Sequence, residues 1–149
     1  MIQRIQSIFL FLAAGALGGQ FVLPYLQTPE TDPARSLPAL ADGALNPLDN
    51  PGLLGLTALG ALISLAAIFL FKNRPLQARL AIVAAGVGLM LLVLVGFTVM
   101  GTLDRAPEGG TVQYAAGLAL PVVALLLNWL AARAIRKDEA LVRSMNRLR

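Results

Sequence analysis

The groups able to act chemically in this chain are mostly cations, and they crowd towards one end. Arg133, Arg136, Lys137, Arg143 and Arg147 fall within ARAIRKDEALVRSMNRLR, and Arg74 and Arg79 stand on either side of the proline in FKNRPLQARL. Guanidinium and ammonium groups at that density hold anions through charge-assisted hydrogen bonds, so they offer contact with lipid phosphate, an acidic partner or nucleic acid. Nucleic acid is the weakest of the three, because no aromatic platform or groove-reading motif accompanies them. A second set is neutral. Gln20, Thr57, Ser64, Thr98 and Asn128 sit in apolar surroundings, where a backbone carbonyl or a neighbouring helix satisfies each for about 1 kcal/mol.

The missing residue types exclude much more. The chain has no cysteine and no histidine, which removes disulfides, thiol redox chemistry, iron–sulfur ligation, histidine-held haem or zinc, and imidazole proton shuttles. No charged group stands deep inside an apolar stretch, so proton-driven transport lacks its carrier group. No catalytic residue, metal ligand or cofactor is therefore expected, and an enzyme is the least supported class.

The elements that must position these groups are four apolar runs, at 7–26, 53–71, 80–103 and 112–132, each free of charge. Each is near the ~20 residues that span a hydrocarbon core. With 57% hydrophobic and 13% charged residues, the composition leaves the range of water-soluble domains. A β-barrel would instead alternate apolar and polar residues in segments of about ten. The expected fold is all-α: a single membrane domain of four transmembrane helices in an up-down-up-down bundle. The first run also reads as a signal peptide, with Ala16 and Gly18 placed as a cleavage site requires, but its apolar character continues to Leu26.

Orientation follows from charge. One side of the membrane receives Arg4, Lys72, Arg74, Arg79, Arg133, Arg136, Lys137, Arg143, Arg147 and Arg149, and the other only Arg35 and Arg105. Basic residues next to helix ends resist translocation, which puts both termini in the cytoplasm of a bacterial inner membrane. In the hairpin between the second and third runs, Asn73 suits a helix C-terminus and Pro75 a helix start. The outer segment 27–52 carries Pro29, Pro33, Pro38 and Pro47, which favours extended or turn structure, with one short helical turn over 36–41. It is either a lid over helix ends or a recognition loop.

Within the runs, Gly15, Gly19, Ala84 and Gly88 are small residues at helical spacing that let backbones approach, within the chain or against a partner. Pro121, in the middle of the fourth run, is expected to bend that helix, either to shape packing or to open a cavity shared with Gln20 and Asn128. Tyr25, Tyr114 and Trp129 suit interface anchors. The tail 133–149 lacks Gly and Pro and continues as helix into the cytoplasm. Its wheel sets Arg133, Arg136, Arg143 and Arg147 on one face and Leu141, Val142, Met145 and Leu148 on another. Glu139 precedes Arg143 by four residues, a helix-supporting pair. Such a tail lies along anionic lipid, docks on a partner, or simply enforces topology.

The opening MIQRIQSIFLFLAA, the hairpin FKNRPLQARL and the closing RAIRKDEALVRSMNRLR resemble an uncharacterised family of four-helix inner-membrane proteins of Bacteroidota, classed as a domain of unknown function. The resemblance covers the whole chain and implies a cytoplasmic working face; it brings no activity, substrate or catalytic residue. Asn146 stands where the family pattern has an aspartate. The expected role is non-enzymatic: a scaffold or accessory subunit in contact with membrane lipids and with a membrane-protein partner or a second copy. The alternative is a passive carrier or small channel for a neutral or apolar solute, lined by Gln20, Pro121 and Asn128.

Overall fold

The computed structural model describes residues 3–147, and the chain is mostly helical. Among the described residues it forms α1 (Gln3–Gly19), β1 (Leu26–Gln27), β2 (Ala44–Leu45), α2 (Pro51–Phe69), α3 (Arg74–Asp104), β3 (Gln113–Tyr114) and α4 (Leu120–Arg147), with short 3-10 turns between them. Pro51–Phe69, Arg74–Asp104 and the stretch Ala116–Val142 are long and apolar enough to cross a membrane, while Ile5–Gly19 is apolar but shorter.

Each helix starts or stops for a local reason. α1 ends at Gly18 and Gly19, after which Phe21 and Leu23 bond back to their carbonyls and Pro24 leads the chain into β1. The first apolar run therefore leaves the helix well before residue 26. Its 17 residues rise about 25 Å, short of the ~30 Å hydrocarbon core, and the exposed Phe21, Val22 and Leu23 extend the greasy surface beyond the helix. α2 starts on an Asn50 cap, whose side chain accepts from the Gly52 amide at 2.8 Å, with Pro51 in the first turn. Asn73 departs from the sequence expectation. Instead of ending α2 it caps the start of α3, accepting from the Leu76 amide at 3.3 Å, as an Asn before a proline does when four amides await acceptors.

Pro121 also departs from expectation. Residues Val112–Ala115 are not helical, because β3 forms there, and α4 proper begins at Leu120 behind a 3-10 turn over Ala116–Ala119. Pro121 thus occupies the first turn of α4, where a missing N–H leaves no helix bond broken. The expected mid-helix bend has no cause.

The connections at the end of the bundle away from the charged tail, outer in the expected topology, are paired through backbone bonds. β1 pairs antiparallel with β2 on one side and β3 on the other, Leu26 lying opposite both Leu45 and Tyr114. The segment between β1 and β2 is folded into 3-10 turns at Pro33–Ser36 and Pro38–Leu40, close to the single turn expected over 36–41. Gly43, at φ +88°, packs under the Arg35 guanidinium, whose Nε donates to the Pro29 carbonyl at 3.0 Å. A side chain at Gly43 meets both the left-handed backbone penalty and that guanidinium.

Packing joins α1 to α2 and α4, and α3 to α2 and α4. One apolar cluster lies beneath the small sheet, with Leu17, Tyr25, Leu26, Leu45, Leu53, Leu91 and Ala124, and a second at the opposite end joins Leu10, Ala67, Ala81, Ala131 and Ile135. The outward faces stay apolar, with Phe11, Leu62, Phe97 and Met100 exposed, as surfaces bathed in lipid are. Of the small residues expected to pack, Ala84 and Gly88 are buried, and a Cβ on Gly88 would lie 3.6 Å from the Leu125 backbone of α4. Gly19 meets Leu120 at 3.4 Å by the same measure. Gly15 does not pack: it is exposed, with no heavy atom within 4 Å of its Cβ position. The closest approach is one the spacing did not single out, at Gly117, where a Cβ would collide with the carbonyl oxygens of Leu23 and Pro24.

Candidate contact site at the charged end

α4 runs unbroken from Leu120 to Arg147, so the expected helical tail and the fourth apolar run form one element. Ala131, Ile135 and Asp138 recur at helical spacing on its buried side, leaving Arg133, Arg136 and Lys137 exposed. The Arg133 guanidinium lies 5.6 Å from the centre of the half-exposed Trp129 ring, a cation–π contact worth about 0.5–1 kcal/mol at such a site. Past Ile135 the apolar residues lose their cover: Leu141 and Val142 are 49% and 38% exposed. Arg79 is exposed and Arg74 half-buried on the first turns of α3. The side chains of Arg143, Met145 and Arg147, and Leu148 altogether, lie outside the described residues, as does the side chain of Arg4.

The buried polar groups at this end were missed by the sequence reading. Asp138, which lies among the tail cations in sequence, is only 7% exposed and accepts a 2.6 Å hydrogen bond from Nε2 of Gln6 on α1. Gln77, within the hairpin sequence, is also buried. The three sequence signatures of the charged end each contribute one buried polar residue, and two of them are joined. The available signal was helical spacing, since Asp138 stands three residues after Ile135 and seven after Ala131.

The other neutral polar residues are dispersed. Tyr25, expected to anchor at the interface, is fully buried and donates its hydroxyl to Oε1 of Gln20; Tyr114 and Trp129 remain exposed. Ser64 donates its hydroxyl to the Gly60 carbonyl at 2.8 Å and lies 3.0 Å from Oδ1 of Asn128. The amide nitrogens of Gln20 and Asn128 are buried without a partner; an unmet buried donor costs about 1–3 kcal/mol, which a trapped water or solute relieves. Pro121 is buried two helical turns, about 10 Å, before Asn128.

A cleft of about 390 Å³ lies at the opposite end, between the outer segment and the last turns of α3, and none of Gln20, Pro121 and Asn128 lines it. The acids there are tuned by local bonds. The Thr111 hydroxyl, and then the Ala34 amide, hold the Asp32 carboxyl below its ordinary value, while burial pushes Asp49 above it. No group of three or more metal-ligating side chains occurs among the described residues.

The charged end is thus a continuous helical extension with exposed cations, uncovered Leu141 and Val142 near its end, and a buried Gln6–Asp138 tie on its packed side. No curated protein and no solved structure matches the chain. A family model does match, over residues 2–148, nearly the full length. The chain therefore belongs to the family described as a domain of unknown function (DUF4293).

Proposed function

We propose that this is an inner-membrane protein of Bacteroidota whose four helices cross the bilayer up-down-up-down with both termini in the cytoplasm. In this reading it catalyses no reaction and serves as a scaffold or accessory subunit. Its contact surface is the cytoplasmic end: Arg74, Arg79, Arg133, Arg136, Lys137, Arg143 and Arg147. The observation that carries the reading is the unbroken α4, which projects exposed Arg133, Arg136 and Lys137 together with uncovered Leu141 and Val142. Cations beside an apolar stripe suit an anionic headgroup layer or the acidic groove of a partner helix.

The absence of cysteine makes single-cysteine labelling clean. A spin label on Ser144→Cys, in the full chain reconstituted into nanodiscs, should be immobilised in phosphatidylglycerol bilayers and mobile in phosphatidylcholine. Replacing the tail arginines by glutamine, or raising salt, should release it. A discrete photo-crosslinked adduct from the same position in native membranes would identify a protein partner instead. A label equally mobile in every bilayer, with no adduct, rejects the contact reading.

The carrier reading rests on the partnerless amides of Gln20 and Asn128. Both side chains are fully or almost fully buried, at 0% and 1% exposure, and the cleft lies elsewhere. The scaffold reading is therefore favoured.

A further inference from the structure

The 390 Å³ cleft at the outer end is unrelated to the charged end and has its own chemistry. One wall is the last two turns of α3 and the residue that caps it, with Phe97, Gly101 and Arg105; the other is the proline-rich outer segment, with Leu37, Leu45 and Asp49. It therefore holds one cation and one acid between apolar surfaces. Asp49 accepts from the Asn46 amide through Oδ2 at 2.7 Å, and Asp42 adds negative field beside it. Thr98 and Thr102 donate their hydroxyl protons to the Leu94 and Thr98 carbonyls, both at 2.8 Å, so towards the cleft they present oxygen lone pairs. The Asp49 wall thus favours an ammonium group, and Arg105, on the opposite wall with Thr98 and Thr102, an anion.

The position adds a second constraint. Phe97 is 72% exposed, and Val93 and Met100, a turn away on α3, are also exposed, so the apolar wall continues without a break onto the outward face of a membrane-length helix. The volume lies at the low end of the ~300–1,000 Å³ typical of small-molecule sites, enough for a headgroup but not for acyl chains. Those chains have the α3 face to lie against.

We propose that this cleft is a binding site for the headgroup of a zwitterionic aminophospholipid of the outer leaflet, its phosphate on Arg105 and its ammonium towards Asp49, with the acyl chains along Phe97 and Met100. The inference rests on α3 crossing the bilayer as proposed above.

Gly101 supplies the test, because it lines the cleft and no heavy atom lies within 4 Å of its Cβ position; Gly101→Leu puts a side chain into that open space. The full chain, delipidated in detergent, is offered equal phosphatidylethanolamine, phosphatidylglycerol and phosphatidylcholine, and retained lipid is counted by native mass spectrometry. Wild type should retain phosphatidylethanolamine over phosphatidylcholine, with phosphatidylglycerol held separately by the charged end. Gly101→Leu and Arg105→Gln should each reduce that retention about tenfold, the loss of one charge-assisted contact or of the space for it. Phosphatidylglycerol retention should not change. Equal retention of phosphatidylethanolamine and phosphatidylcholine by wild type, or undiminished phosphatidylethanolamine retention by Gly101→Leu, would overturn the site. Soluble glycerophosphoethanolamine binding as tightly as the lipid would overturn the assignment to a membrane ligand. Detergent phase partitioning of the same protein separates the two readings: a chain found in the aqueous phase fails as a membrane protein, whereas one in the detergent phase without lipid preference fails only here.

Discussion

The two ends of the helix bundle are held by different means. At the outer end, segments far apart in sequence are stitched by backbone bonds: β1 lies between β2 and β3, and the Gly117 amide donates to the Pro24 carbonyl at 3.0 Å. The carboxylate of Asp32 ties the two connections together, accepting from the amide and hydroxyl of Thr111, and Thr28 donates its hydroxyl to the Thr111 carbonyl at 2.9 Å. At the charged end the extension of α4 has small apolar contacts and the Gln6–Asp138 bond. The difference separates a surface built to keep its own shape from one that keeps its cations and apolar residues available. The segment between β1 and β2 is accordingly folded rather than extended, with 3-10 turns at Pro33–Ser36 and Pro38–Leu40.

The comparison can be broken most severely at Gly117. Gly117→Val places a side chain against the carbonyls of Leu23 and Pro24, where backbone must move; a loss of about 3 kcal/mol or more is expected, read as a lower midpoint in thermal unfolding of the detergent-solubilised chain. A midpoint matching wild type would show the outer cap to be dispensable. Asp138→Ala should cost less, about 1–3 kcal/mol, because it strands the buried Gln6 amide. Its effect should be local: faster amide exchange in α4 beyond Ile135, with β1 and β3 as protected as before. Uniformly faster exchange would mean that the two ends are not independent.

Acid should loosen the outer end first. The bonds from Thr111 and Ala34 hold the Asp32 carboxyl lower in the folded chain than in the unfolded one. Its charge therefore stabilises the fold above the ordinary value of 3.8, and that contribution disappears as pH falls from there through the depressed folded value. Asp49 acts with the opposite sign, since burial raises its value and protonation relieves a strain on the folded form. Exchange at the Ala34 and Thr111 amides, both of which donate to Asp32, should accelerate in that window, and Asp32→Asn should flatten the dependence. The smallest effect belongs to Gly15→Ala. With no neighbour in reach, it should change stability only by helix propensity, a gain of up to about 1 kcal/mol; a marked loss would place Gly15 in a contact between copies.

The helices were legible because lipid-length apolar runs and prolines are written locally, and Pro75 marks a real helix start. The ends were less so. Residues 20–26 and 112–115 are apolar enough to continue a helix, yet they leave it to pair as strands, since a two-residue strand has no sequence pattern and its partner lies up to 88 residues away, Leu26 against Tyr114. Tyr25 reads as an interface aromatic by position and is buried because Gln20 waits inside for its hydroxyl. The exposed cations of the charged end were visible in the sequence, but the burial of Asp138 was not, because a carboxylate among arginines looks solvated until a distant glutamine is brought within 2.6 Å.

By itself the sequence determined that the interior is apolar, that its cations gather at one end, and that no thiol or imidazole is at hand. These are properties of residue type and local spacing, which need no partner to be expressed. Tertiary structure alone decided which polar side chains were buried, which glycine had to lack a Cβ, and that two remote connections close over one end around a cleft. Each of those depends on groups dozens of residues apart coming within a few ångströms, and no local pattern carries that distance.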